Sequence, residues 1–238
     1  MRKLIAYISI SCIAVLSSSF TALPGIGKEH LTAIIPVIMD KGKEIAEKAS
    51  LLYDRLNLRN LGLSPEAFNY AYRGYEYLLD KNLVNDSAYL TICDFTQSSK
   101  QKRLYLIDML DNKILLNTYV AHGHNSGGEY ATRFSNRLRS KQSSLGFYVT
   151  QNTYVGEHGL SLRMEGLEPG FNDKAYRRAI VLHGASYIGN GSTGRSYGCP
   201  AVPKNESKQI INTIKNGTCL FIYHPDKKYL QGSKILND

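Results

Sequence analysis

The stretch that could do chemistry lies between residues 181 and 201. Val181-Leu182-His183-Gly184 reads as a strand that ends on a histidine. A loop rich in glycine and serine follows, then Gly194-Arg195-Ser196-Tyr197-Gly198-Cys199-Pro200-Ala201. A cysteine nucleophile needs a base to take the thiol proton. It also needs backbone N–H groups aimed at the oxyanion that develops on the attacked carbonyl. On this reading Cys199 is the nucleophile, His183 the base, and the amides around Gly198 and Cys199 the oxyanion donors. Gly198, Ser196 and Gly184 form the oxyanion and loop set, since glycine lets backbone approach a substrate closely. Spacing alone also fits a buried structural cysteine beside an unrelated histidine.

The start of the chain bears on the thiol. Arg2 and Lys3 precede an apolar run from Leu4 to Leu16, and Ser17, Ser18 and Ser19 follow it. Residues 1–19 therefore have the layout of a secretory signal peptide, short for a membrane span. Export to the periplasm or cell envelope is expected, with membrane contact only through this segment if it stays uncleaved. Cys12 sits inside the run and Ile13 follows it, which does not suit a lipidation site. Thiols in an oxidising compartment tend to pair. Without Cys12, the four cysteines reduce to Cys93, Cys199 and Cys219, an odd number. Cys93 and Cys219 are expected as buried free thiols in strands, with a bridge between them as the alternative. His183 is expected to lower the effective pKa of Cys199, so that Cys199 reacts fastest.

Composition bounds the fold. The chain has 238 residues, 43% hydrophobic and 21% charged, which excludes wholesale disorder. That length holds one ordinary domain with a leader or helical appendage. One early apolar run and none later excludes a polytopic membrane protein. The net charge of +9 becomes +7 once Arg2 and Lys3 leave, and it favours polyanions such as an anionic cell wall. The basic residues are scattered, so no nucleic-acid partner is inferred.

Residues 20–82 read as a helical region. Ile45, Ala49, Leu52, Tyr53 and Leu56 fall at helical spacing, and Ser64-Pro65-Glu66 has the signals of a helix start. The pattern then turns β-rich. Strands are predicted at 88–95, 103–109, 114–121, 144–150, 179–183 and 218–223, with a turn at Asp111-Asn112. Only 206–214 reads as a helix in this half. The fold class is mostly β, a closed or sandwiched core over residues 83–230 preceded by the helical region. Residues 231–238 read as a C-terminal tail.

The pair His183-Gly184 with Ser196-Tyr197-Gly198-Cys199 resembles the signature of the L,D-transpeptidase catalytic-domain family (YkuD-like). That signature is His-Gly, a loop, then Ser/Thr-His-Gly-Cys. Gly194 to Ala201 is similar to one branch, the murein L,D-transpeptidase catalytic-domain proteins, in which an aromatic residue precedes Gly-Cys and Pro-Ala follows. Val120-Ala121-His122-Gly123, Phe134-Ser135-Asn136, Ser143 to Tyr148 and Gly159 to Gly166, with its Ser161-Leu162-Arg163, resemble the same branch. The likeness spans roughly residues 50–225. Two departures stand out. The loop between His183 and Ser196 is slightly short. Ala201 replaces an Arg or Asn common in the wider family, a role for which Arg195 is the candidate.

The resemblance implies a β-sandwich or barrel that works on peptidoglycan stem peptides. Cys199 would attack the carbonyl at the L-centre of meso-diaminopimelate in a tetrapeptide stem, releasing D-alanine and leaving a thioester. An amine on another stem, or on an envelope protein, would then take the acyl group. Water as acceptor would make an L,D-carboxypeptidase or endopeptidase. His183 would move the proton, oriented by a backbone carbonyl. Arg195, Tyr197, His122 and His124 are candidates for substrate contact; for the two histidines, a polar strand end and its turn fits as well. Carbapenems would acylate the same cysteine. A non-catalytic wall-binding module is the reading from a different class, suited by the basic charge and 17 tyrosines. No cofactor and no metal is expected. Gly189 to Gly194 fits G-x-G-x-x-G but leads into a cysteine loop rather than a helix. His122-x-His124 has the short spacing of metal ligands and leaves a zinc peptidase as a lesser alternative.

Overall fold

The computed structural model describes residues 28–86, 88–188 and 196–238, with side chains from Lys41 onward. The expected signal segment with Cys12, and the 189–195 segment with Arg195, lie outside the described residues. The chain divides into two compact units, Met1–Asp40 and Lys41–Asp238. The described part of the first is helical.

Helix α1 (Lys28–Arg55) buries Ala49, Leu52 and Tyr53, the stripe that the spacing predicts. Asn57, at φ 52°, turns the chain after it. Helix α2 (Pro65–Asp80) starts where the sequence signals put it. Ser64 Oγ accepts from the Ala67 N–H at 3.1 Å, Pro65 has no N–H to leave unpaired, and Glu66 faces the positive end of the dipole. Phe68, Ala71, Tyr72, Tyr75 and Leu78 form its buried face.

Eight strands make one sheet: β1 (Tyr89–Asp94), β2 (Leu104–Asp108), β3 (Lys113–Thr118), β4 (Gly146–Gly156), β5 (Gly159–Gly166), β6 (Val181–Ala185), β7 (Ala201–Pro203) and β8 (Cys219–Tyr223). Their order is β3-β2-β1-β8-β4-β5-β6-β7. All pairs are antiparallel except β1–β8 and β6–β7. Ala121, just beyond β3, bridges to Ala201 of β7, so the two edges nearly meet and the sheet almost closes. The bridge gives the short edge strand β7 a partner on its outer side. Inside, Phe147 of β4 stacks on Phe221 of β8 with ring centroids 4.1 Å apart.

Three differences from the sequence reading have physical causes. β5 was not among the predicted strands, because its glycine ends and its Arg163 and Glu165 hide the alternation. β7 is three residues long and ends in proline, below what patterning can detect. Residues 231–238, read as a tail, complete α4 (Lys227–Gly232) and form α5 (Lys234–Asn237). Ile235 and Leu236 are buried there, and Arg73 of α2 donates to the Leu236 carbonyl at 2.8 Å.

α2 meets the sheet at Gly74, where a Cβ would lie 1.9 Å from the Phe147 ring. That ring cannot retreat, because Phe221 lies behind it. Gly74→Ala is expected to overpack the contact and to lower stability by about 1–3 kcal/mol, despite the better helix propensity of alanine. Urea unfolding measures this; unchanged or raised stability would show that α2 can shift at no cost.

Candidate active site

The site is built on the parallel pairing of β6 with β7. His183 lies opposite Ala201, and the segment leading into β7 brings Cys199 alongside Val181. The half-buried Cys199 Sγ accepts from the Val181 N–H at 3.5 Å and donates to the Ala179 carbonyl at 3.7 Å. Ala179 adopts a left-handed conformation, φ 53°, that turns the chain into β6.

His183 Nδ1 lies 3.2 Å from the Gly184 carbonyl oxygen. A carbonyl only accepts, so Nδ1 carries the proton and Nε2 is left with a lone pair. A second imidazole covers this ring. His158, in the β4–β5 turn, stacks on it with centroids 4.1 Å apart and planes 17° apart. Burial, and secondarily the charge of a protonated His158, push the His183 pKa down, while the Gly184 contact opposes them.

Ser196 pins the Cys199 loop with one hydroxyl. Its Oγ donates to the Cys199 carbonyl and accepts from the Gly198 N–H at 3.1 Å. The segment at 122–124 holds the same loop through backbone. The Ser196 N–H donates to the His122 carbonyl at 3.0 Å, and the His124 N–H donates to the Ser196 carbonyl at 2.5 Å. Gly198 has φ +125°, and a Cβ there would lie 2.9 Å from the Gln142 carbonyl. Only glycine fits this corner without strain.

The expected site residues therefore separate. Cys199, His183, Ser196 and Gly198 come together. Gly198 cannot offer its amide to a substrate oxyanion, because Ser196 Oγ takes it; the Cys199 N–H, which also favours its own thiolate, remains. Gly184 is no oxyanion donor either. It sits inside β6, where its carbonyl orients His183 and its Cα faces helix α3 (Lys204–Ile214), leaving 2.4 Å from a would-be Cβ to Ser207 Oγ. His122 does not line an open cleft. Its ring is fully buried, with Nδ1 2.8 Å from Arg103 Nη2. His124 is exposed at the start of a short 3-10 turn, and Tyr197 is 74% exposed with Lys141 Nζ 4.5 Å from its ring. Ala201 is fully buried in β7. Among the described residues, no group of three or more His, Cys, Asp or Glu could hold a metal ion.

Two residues to which the sequence reading gave no role beside Cys199 belong here. His158 reaches His183 only because the β4–β5 hairpin folds over. Arg178 is the cation that lowers the Cys199 pKa. It donates to the Ser135 carbonyl at 2.7 Å, Ser140 Oγ at 3.1 Å, the Gln142 carbonyl at 2.5 Å, and Ser144 Oγ. In sequence both were merely polar residues far from the cysteine.

The electrostatics correct one expectation. Burial pushes the Cys199 thiol up, and neither the Val181 N–H nor Arg178 reverses this. Burial thus works against a resting thiolate–imidazolium pair. Cys93 and Cys219 are free and fully buried, and burial lifts Cys93 to about 12 and Cys219 higher still. In native protein, iodoacetamide should label Cys199 alone. Its rate should rise with pH through a midpoint above the ordinary thiol value of about 8.5. Arg178→Ala should move the midpoint further up. A midpoint near 7 would show a resting ion pair instead.

Residues 59–223 match the L,D-transpeptidase catalytic domain, well over half of the chain. No curated relative matches the sequence. Among solved structures, the helical cell shape determining protein Pgp2 from Campylobacter jejuni is 17% identical, over 65% of this chain and 54% of its own, with a TM-score of 0.39. An L,D-transpeptidase from Mycobacterium smegmatis is 10% identical over 58% and 59%, with a TM-score of 0.38. One from Mycobacterium tuberculosis H37Rv is 12% identical over 58% and 58%, with a TM-score of 0.35. The chain thus spans less than two thirds of the length of each. By the match over residues 59–223, the chain belongs to the L,D-transpeptidase catalytic domain family.

Proposed function

We propose that the protein is an exported, cysteine-dependent peptidoglycan L,D-transpeptidase. The observation that carries this reading is the contact of His183 Nδ1 with the Gly184 carbonyl, beside the Cys199 loop, which leaves Nε2 as the base. Cys199 Sγ attacks the carbonyl at the L-centre of the stem's diamino acid, and His183 Nε2 takes the thiol proton. The Cys199 N–H faces the developing oxyanion. The intermediate collapses, the bond to D-alanine breaks, and His183 returns its proton to the leaving amine. An acceptor amine then attacks the thioester, His183 takes that amine's proton, and the thiol is restored. The acceptor is a second stem or an envelope protein.

The high thiol pKa suits this order of events. Proton transfer to a neutral imidazole during attack avoids holding two charges in a half-buried site. The same chemistry should open a carbapenem ring and leave an acyl adduct on Cys199.

Purified protein incubated with tetrapeptide-stem muropeptides should yield cross-linked dimers and free D-alanine, and Cys199→Ala should abolish both. Monomeric tripeptide products without dimers would instead identify a carboxypeptidase. Intact-mass spectra should show a carbapenem adduct on the wild type and none on Cys199→Ala.

The pH profile follows from His183. The base is active when neutral, and its pKa is pushed down. Activity should therefore persist as pH falls below the ordinary imidazole value of about 6.5, and be lost only as pH passes through the lowered pKa. His158→Ala removes a lowering charge and uncovers the ring, so the acid limb of kcat/KM should move to higher pH. An unmoved limb would show that the stack has no electrostatic role.

A further inference from the structure

A cation outside the Cys–His pair is placed as if to meet a ligand. Antiparallel pairing sets Tyr154 of β4 opposite Ser161 of β5, and Ser161 opposite His183 of β6. Residues directly opposite each other share a face of the sheet, so Tyr154, Ser161 and His183 line one face. Two residues along β5, Arg163 lies on that same face, opposite Val181. Cys199 flanks Val181 on its other side. Arg163 and Cys199 are thus separated by one strand, or about 10 Å across the sheet.

The guanidinium of Arg163 is held between aromatic rings. Its Cζ lies 4.4 Å from the Tyr154 centroid and 6.0 Å from that of Tyr176, a residue 72% exposed. Ring faces hold the plane of an arginine by cation–π attraction and leave its N–H edges available. Arg163 is half-buried, and among the described residues no carboxylate forms an ion pair with it. A flat, oriented, unpaired guanidinium fits a carboxylate bidentately. Structural cations of this fold look different: Arg178 spends its donors on four groups of the protein.

We propose that Arg163, clamped by Tyr154 and Tyr176, is the subsite for a free carboxylate of the donor stem, next to the bond that Cys199 attacks. This rests on the peptidoglycan reading above. A peptide stem with a γ-linked glutamate carries such an α-carboxylate one residue before the diamino acid, and about 10 Å is within reach of one residue of extended chain plus two side chains. The subsite selects stems whose carboxylate is free over those in which it is amidated.

The test compares tetrapeptide stems with the glutamate α-carboxylate free or amidated. Binding is measured by calorimetry in Cys199→Ala protein, and turnover in wild type. The Cys199→Ala protein should bind the free acid about tenfold more tightly than the amide, the range for one charge-assisted pair. Adding Arg163→Ala should remove that preference and leave affinity for the amide unchanged. Arg163→Lys, which keeps the charge but not the fork, should retain part of it. Tyr176→Ala should weaken the preference with Arg163 intact. Equal binding of the two stems without Arg163→Ala, or a preference that survives it, would overturn the subsite. Failure of wild type to turn over either stem would overturn the transpeptidase reading instead, since the binding comparison does not depend on turnover.

Discussion

The parallel register of β6 against β7 is the constraint on which the site depends. It sets His183 opposite Ala201 and leaves Cys199 two residues upstream, against the Val181 amide. A three-residue edge strand cannot hold such a register alone. The bridge from Ala121 to Ala201, the backbone pair between Gly123 and Ser196, and the Ser196 hydroxyl all clamp the segment that feeds it. Near-closure of the sheet and positioning of Cys199 are thus one physical event. The edge strand that finishes the sheet is also the end of the Cys199 loop.

The clamp rests in turn on buried charge. Arg103 is fully buried, yet it donates to the Val120 carbonyl, the Gln97 carbonyl and His122 Nδ1, and lies 4.7 Å from the Phe95 ring. Burial lowers its pKa to about 10, still well above neutrality, so the charge survives. It fixes the segment after β3 that presents His122 and Gly123 to the loop. Glu168, whose carboxyl burial pushes up in pKa, accepts from the Phe147 N–H of β4, Tyr229 Oη and Ser233 Oγ, and so ties the C-terminal helices to the core. Removing a partner of Arg103 leaves a desolvated charge. The cost is typically several kcal/mol, far more than any exposed ion pair supplies.

Much of the scaffold was legible because it obeys local rules. Ser64-Pro65-Glu66 and the stripe through Tyr53 are periodicity and capping, both readable within a few residues. β5 and β7 were not legible, one for its charged positions and the other for its length. The C-terminal helices were missed for a related reason. They are held by Ile235, Leu236 and Ser233 against distant partners, not by strong patterns of their own.

The sequence by itself determined the family and pointed to Cys199 and His183 as the candidate nucleophile and base, because His-Gly and Ser-Tyr-Gly-Cys are short motifs whose chemistry depends on residue type. Only the tertiary structure decided what surrounds them. His158 covers His183, Arg178 sits near the thiol, His122 turns inward, and Gly184 orients the base through its carbonyl rather than its amide. It also decided the sign of the thiol's pKa shift, upward where the motif suggested downward. The reason is the same in each case. Desolvation and cross-strand contact depend on which residues pack together across the sheet, and strand order sets that at sequence separations no local pattern encodes.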